Sequence, residues 1–320
     1  MKGVFLDLNT VDRGDLDLEP LRAALPEWEF FPRSEPEEVA TRIHEAGIVV
    51  TNKVFLGAEA LASASRLRLI CTAATGTNNI DLAAAADRGI PVCNARSYAT
   101  DSVVQHVFAL LLTLVTRMDA YRADIRAGRW SASDQFCLLD HPIRTLAGMR
   151  LGIVGFGVLG QATARMAEAF GMRVTVAGSL RADAAGADDR PALDDLLPSL
   201  DVLSLHCPLT ERTRHLIDAR RLARMAKDSL LINTARGGLV EPRALADALR
   251  AGHLGGAGID VLDPEPPPAE HPLLAPDIPN LVLTPHTAWA ARSARQNVLE
   301  EVRLNIGAFL AGAPRNVVTP

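Results

Sequence analysis

Residues 151–160, Leu-Gly-Ile-Val-Gly-Phe-Gly-Val-Leu-Gly, constrain this chain more than any other stretch. An apolar run enters Gly155, Gly157 and Gly160, and residues 161–170 follow in a helical pattern. A buried strand that turns into a helix through this spacing makes a dinucleotide site. Gly155 permits the tight turn, Gly157 lets a pyrophosphate approach the backbone, and Gly160 lets the helix sit close on the strand. The phosphates would rest on amides of the helix N-terminus, around Val158 and Leu159, where the partial positive charge favours anions. Three glycines alone are a weak sign, because any tight strand-to-helix turn can use them. Here the strand before, the helix after and a further strand at 173–177 are all legible.

The flanking chain repeats the same alternation. Residues 3–8, 29–31, 47–51, 67–73 and 90–94 read as strands, and 18–25, 37–45, 58–63 and 82–87 as helices between them. This order implies a parallel, doubly wound sheet, and none of its turns carries the glycine spacing. Residues 100–116 read as a helix apolar over most of its surface, and 117–128 as a more polar continuation. Residues 129–145, with Trp130 and Phe136, have no periodicity. An irregular stretch this long is usually functional or covered by a partner. Past the glycine loop, strands are expected at 174–177, 202–206, 229–233, 256–259 and 281–283, with helices at 193–197, 219–225 and 242–251. A long last helix, 290–311, is expected to return to the first domain. The fold class is therefore α/β, with two doubly wound parallel-sheet domains, and 320 residues suffice for both.

Composition narrows the function classes. With 48% hydrophobic and 22% charged residues and a formal charge of -5, the chain has no basic block that would point to nucleic acid. The longest apolar run, 107–115, is too short to span a membrane and is preceded by Gln105 and His106. Asp7 follows the N-terminus too soon for a signal peptide. Cysteines 71, 93, 137 and 207 are scattered without a Cys-x-x-Cys spacing, so neither a disulfide nor a metal is expected, and the thiols read as those of a cytoplasmic protein.

Several loops carry candidate chemistry. Thr75 and Gly76 leave a strand at its carboxyl end, where ligands of parallel sheets bind, and their amides could hold a carboxylate. A plain glycine turn with Asp81 as helix cap reads equally well, and the same two readings apply to Asn52 and Lys53. In the second half, Arg236, Glu265 and His286 each follow a strand. Singly they read as a surface arginine, a loop glutamate and a capping histidine. Together they form an acid–base pair and a carboxylate clamp beside a nicotinamide site.

These motifs resemble the D-isomer-specific 2-hydroxyacid dehydrogenases over nearly the whole chain. The resemblance lies in residues 73–81 (Ala-Ala-Thr-Gly-Thr-Asn-Asn-Ile-Asp), the glycine loop, 205–210, 233–238 (Asn-Thr-Ala-Arg-Gly-Gly), Asp260 to Pro266, and Pro285-His286. The forms at 75–79, 104–106 and 136–140 are most similar to the hydroxypyruvate reductase, or glycerate dehydrogenase, branch. The resemblance implies that His286 protonates a carbonyl oxygen as hydride arrives, and that Glu265 orients the imidazole and favours its charged form. It implies that Arg236 binds the substrate carboxylate, helped by the amides of Thr75 and Gly76 from the other domain. Cys207, Thr234 and Asp260 match positions lining the cofactor. It further implies a flavodoxin-like substrate domain, 1–99 plus 287–320, and a Rossmann-type dinucleotide domain, 100–286. A loop at 117–147 would build a homodimer. The substrate would be a small 2-oxo acid, hydroxypyruvate or glyoxylate, reduced to D-glycerate or glycolate.

One departure concerns the cofactor. Members that prefer NAD have an acid at the end of the second strand for the ribose hydroxyls. Here Gly178 stands in that place, followed by Ser179 and Arg181. With no carboxylate to repel a phosphate and a guanidinium nearby, the expected cofactor is NAD(P)H with NADPH slightly favoured. A positive φ would be a second reason for glycine there. Other readings stay open: a non-catalytic NAD(H)-sensing module, or a dehydrogenase for 3-phosphoglycerate or D-lactate. Formate dehydrogenases, by resemblance, have Gln where Glu265 stands.

Overall fold

The computed structural model describes residues 1–180 and 188–319, so Arg181 lies outside the described residues. The chain divides into two compact units, Met1–Ala99 with Trp289–Pro320, and Thr100–Ala288.

In the first unit β1 (Lys2–Phe5), α1 (Glu19–Arg22), β2 (Glu27–Phe30), α2 (Pro36–Ile43), β3 (Ile48–Thr51), α3 (Ala58–Ser63), β4 (Leu69–Thr72), α4 (Leu82–Asp87) and β5 (Val92–Cys93) follow in order. The central strands Ile-Val-Val-Thr and Leu-Ile-Cys-Thr are buried at every position. That is why they read as continuous apolar runs rather than alternating ones. The expected helix at 18–25 shortens to the single turn of α1, and Pro26 follows it closely.

The second unit begins with α5 (Thr100–Val115) and α6 (Met118–Arg126). Then come β6 (Arg150–Val154), α7 (Val158–Ala169), β7 (Arg173–Val176), α8 (Leu193–Leu196) and β8 (Val202–Leu205). The unit closes with α9 (Ala219–Arg224), β9 (Leu230–Asn233), α10 (Pro242–Arg250), β10 (Gly256–Ile259) and β11 (Leu281–Leu283). Its sheet runs β11-β10-β9-β8-β6-β7, and every pairing is parallel. One face is closed by Val107, Leu110, Leu111 and Leu114 of α5 with Ala164 and Ala167 of α7. The other is closed by Leu193, Leu222, Leu245 and Leu249 of α8, α9 and α10. Gly258 of β10 makes room for α5, since a Cβ there would stand 2.8 Å from Leu110 Cβ. The strand order reverses between β6 and β8, so the open crevice of this sheet lies at the carboxyl ends of those two strands.

The chain then rejoins the first unit as α11 (Arg292–Leu310) and β12 (Val317–Val318). Val298, Leu299, Val302 and Ile306 of α11 bury against Phe5, Val50, Leu69 and Cys71. The first sheet runs β12-β5-β4-β3-β1-β2. Its edge strand β12 pairs antiparallel with β5, Val317 opposite Cys93. Sequence reading missed β12, because two residues carry no periodicity. Among the described residues, no single helix is long and apolar enough to cross a membrane.

Candidate active site

The three glycines of the turn after β6 have three different surroundings. Gly155 has φ +91, and a Cβ there would lie 2.6 Å from Cys207 N at the end of β8. Both the conformation and the close approach exclude a side chain. A Cβ on Gly160 would collide with the Gly155 carbonyl, so α7 can begin against the strand only with glycine there. Gly157 instead faces open space, with nothing within 4 Å of a Cβ position, and N-caps α7 without a side-chain hydrogen bond. The exposed amides of the first turn, at Val158 and Leu159, and the space over Gly157 fit the phosphates of a dinucleotide. A further open position is Thr234, just past β9, whose buried Oγ1 has no hydrogen-bond partner among the described residues.

Beside the turn, His206 and Cys207 follow β8. Cys207 is buried, which pushes its thiol up to about 11 and keeps it neutral. His206 places Nε2 2.9 Å from Ser204 Oγ, while its buried Nδ1 has no partner among the described residues. Burial lowers this imidazole from 6.5 to about 4. In the unfolded chain it takes up a proton first, so its contribution to stability is complete above about pH 6.5 and declines as pH falls towards 4. Urea midpoints across that window are expected to fall with pH, and less steeply in His206→Gln.

The end of β7 differs from expectation in two ways. Gly178 is not among the glycines of positive φ, so left-handed backbone is not the reason for it. A Cβ there would stand 3.2 Å from the Arg190 carbonyl oxygen and 3.4 Å from that of Pro191, and the Gly178 amide donates to Pro191 O at 2.8 Å. Returning chain therefore crowds the strand end. The second correction is that a carboxylate does stand there. Asp188 accepts from the Ser179 amide, and Arg190 lies against the same carboxylate.

The candidate acid–base pair comes from two loops that follow β10 and β11. His286 Nδ1 and Glu265 Oε2 are 2.6 Å apart, and Glu265 Oε1 accepts from Leu262 N at 2.9 Å. With Nδ1 turned to the carboxylate, Nε2 is the nitrogen left for a substrate. His286 itself has φ +53, a left-handed conformation that costs a non-glycine residue about 1–3 kcal/mol. Its surroundings hold it there. The His286 amide donates to Asp260 O at 2.8 Å, while the buried Asp260 carboxylate accepts from Thr287 N and Ala288 N, each at 2.9 Å.

Thr284 Oγ1 donates to Asp260 Oδ1 at 2.6 Å and accepts from His106 Nε2 at 2.9 Å. Burial raises the Asp260 carboxyl, but hydrogen bonds from His106, Thr284, Ala288 and Thr287 outweigh it and leave it below its ordinary value. Asp260 thus anchors the His286 loop, a task beyond the cofactor contact expected of it. Thr284 and His106 were not singled out for any role, since nothing local links a residue of α5 to the end of β11.

Arg236 follows β9 and is half-buried, with extended backbone and NH1 donating to Ala235 O at 2.6 Å. Asn233 shapes this turn: its side-chain amide donates to Arg236 O at 2.9 Å and its Oδ1 accepts from Ala235 N at 3.0 Å. Arg236, Glu265 and His286 therefore follow the adjacent parallel strands β9, β10 and β11, all at their carboxyl ends.

In the first unit, Thr75 Oγ1 donates to Ala95 O at 3.0 Å and Asn94 Nδ2 to Thr75 O at 2.7 Å. These bonds stiffen the turn, and among the described residues the amides of Thr75 and Gly76 have no acceptor. Asp81 does cap α4, accepting from Ala84 N. The Asn52 and Lys53 amides are taken from inside by the buried Asp7 carboxylate, at 2.9 and 2.6 Å. That loop is therefore satisfied structurally.

Comparison with known proteins adds to this geometry. Residues 108–288 match the NAD binding domain of the D-isomer specific 2-hydroxyacid dehydrogenases. The chain is similar to a glycerate dehydrogenase of Methylorubrum extorquens, 43% identical over 95% of this chain and 97% of that protein. It is 36% identical to a hydroxypyruvate reductase of Blautia hydrogenotrophica, over 99% of both. Among solved structures, the TT0316 protein of Thermus thermophilus superposes with a TM-score of 0.85 at 35% identity, covering 100% of both chains.

Proposed function

This chain belongs to the D-isomer-specific 2-hydroxyacid dehydrogenase family, and from that premise we propose that it reduces hydroxypyruvate or glyoxylate to D-glycerate or glycolate. The observation that carries the reading is the 2.6 Å pair of His286 with Glu265, on loops that leave the same sheet as the glycine turn. Gly155, Gly157, Val158, Leu159 and Gly160, with Cys207, Thr234 and Asp260, would hold a nicotinamide dinucleotide, which when bound would supply the hydride for the 2-oxo carbon.

The protein's own residues do the rest. Arg236 takes the substrate carboxylate in its planar fork and polarises the 2-oxo group. In the first unit, the amides of Thr75 and Gly76, without an acceptor among the described residues, are proposed to bind a carboxylate. His286 gives the Nε2 proton to the carbonyl oxygen as its π electrons move there, and Glu265 steadies the imidazolium. NADPH is the proposed preference, since Arg190 neutralises the Asp188 carboxylate at the end of β7.

Residues 117–147 are proposed to form a homodimer contact. They hold themselves together through Asp124, Arg129 and His141, yet leave Phe136 89% and Leu139 83% exposed. The proposed compartment is the cytoplasm.

Loss of the near-ultraviolet absorbance of NADPH or NADH on adding hydroxypyruvate, glyoxylate, pyruvate or 3-phosphohydroxypyruvate tests the reading. Tight dinucleotide binding without turnover of any of them would favour a sensing role instead. Glu265→Gln is expected to bind cofactor normally while its reduction rate falls, because the ring loses the carboxylate that orients Nε2. An unchanged rate would remove Glu265 from the mechanism.

A further inference from the structure

Beyond β7 the chain returns to the end of the strand it has just left. There the Ser179 amide donates to Asp188 Oδ2. Arg190 grips the same carboxylate with a two-pronged contact, Nε to Oδ1 at 2.7 Å and NH2 to Oδ2 at 2.6 Å, and its own amide adds a bond of 3.1 Å to Oδ1. The Arg190 guanidinium first, and the Ser179 amide second, hold the Asp188 carboxyl well below the usual carboxylate range. The Asp188 side chain is 16% exposed and that of Arg190 37%. The carboxylate is thus the fixed partner and the guanidinium the accessible one.

In a dinucleotide-binding sheet the end of the second strand meets the ribose of the adenosine half, and β7 is that strand here. Gly178 lacks the acid, and a Cβ there would stand 3.2 Å from the Arg190 carbonyl oxygen, so a side chain would need the returning chain to give way by a few tenths of an ångström. Asp188 brings a carboxylate to the next amide along, at Ser179.

We propose that Asp188 and Arg190 together set which dinucleotide this chain takes. Asp188 accepts from the ribose hydroxyls of NADH, and Arg190 turns from Asp188 to the 2′-phosphate of NADPH. This rests on the nicotinamide-dinucleotide reading of the glycine turn. The exchange of partners is physically cheap. A phosphate offers a guanidinium the same two-oxygen geometry as a carboxylate, with more charge. Releasing the two-pronged ion pair is offset by that contact, and the Asp188 carboxylate keeps the Ser179 and Arg190 amides as donors. A phosphate at contact distance from Asp188 is repelled unless Arg190 stands between them.

The two residues act in opposite directions, which gives the test its discrimination. Dissociation constants for NADPH and NADH are measured by fluorescence quenching, with adenosine 2′,5′-bisphosphate and AMP as competitors. Arg190→Ala is expected to weaken NADPH and the bisphosphate by about 10–100-fold, the worth of a charge-assisted phosphate contact, and to leave NADH and AMP nearly unchanged. Asp188→Asn is expected to move the ratio the other way, towards NADPH, by removing both the repulsion and the best acceptor for the ribose hydroxyls. Should the alanine variant fail to fold, Arg190→Gln carries the same expectation.

A merely structural role would shift both cofactors by one factor, and that result, or no shift in either variant, overturns the proposal. Because binding is read without a substrate, absence of 2-oxo acid turnover leaves this test intact. Failure to bind any dinucleotide would overturn the cofactor reading and this proposal together.

Discussion

His286→Ala is expected to lower the rate of 2-oxo acid reduction by about 10²–10⁴, the usual worth of a positioned general acid, while cofactor affinity stays unchanged. The chemistry requires a proton at the carbonyl oxygen as hydride reaches the carbon, and Nε2 of this imidazole is the group left to give it. Glu265, 2.6 Å from Nδ1, fixes the ring so that Nε2 points away from the carboxylate. The φ of +53 complicates a single substitution, because a change in the backbone could produce the same loss. His286→Asn separates the two causes, since asparagine tolerates left-handed backbone and cannot act as a general acid. Equal losses in both variants, by single-turnover kinetics, assign the effect to the proton. Activity recovered in the asparagine variant would assign it to the loop.

Arg236→Lys is expected to reduce kcat/KM by roughly 10–100-fold despite the retained charge. Lysine offers a point charge on a flexible stem, so it cannot hold a carboxylate by two parallel hydrogen bonds and polarise the adjacent carbonyl as well. Asn233 places the Arg236 carbonyl, and the guanidinium donates to Ala235 O at 2.6 Å. A lysine therefore inherits the backbone position without the planar fork. Steady-state kinetics with hydroxypyruvate measure the loss. Near-normal kcat/KM would mean that the carboxylate is held elsewhere, with the Thr75 and Gly76 amides first to be tested.

Much of this protein is legible locally. The glycine spacing after an apolar run announces the turn at 155–160, because φ +91 at Gly155 and the contact of Gly160 with the Gly155 carbonyl are demands that only glycine meets. The alternation of buried strands and helices gives two wound sheets, since a parallel strand needs a crossover. Arg236, Glu265 and His286 stand out because each lies in a loop that follows a strand, and in parallel sheets the carboxyl ends of strands form the ligand face.

The sequence by itself therefore determined the fold class, the glycine turn and where Arg236, Glu265 and His286 stand relative to the strands, all of which are written in local patterns. Tertiary structure decided what depends on residues far apart along the chain. Asp260 holds Thr287 and Ala288 with help from His106, 154 positions earlier, through Thr284. Asp7 satisfies the amides of Asn52 and Lys53, and β12 pairs with β5 across most of the chain. Asp188 supplies the carboxylate that Gly178 lacks, with Arg190 upon it. Hydrogen bonds of this kind leave no periodicity, because their partners are set by where the backbone returns rather than by neighbouring residues.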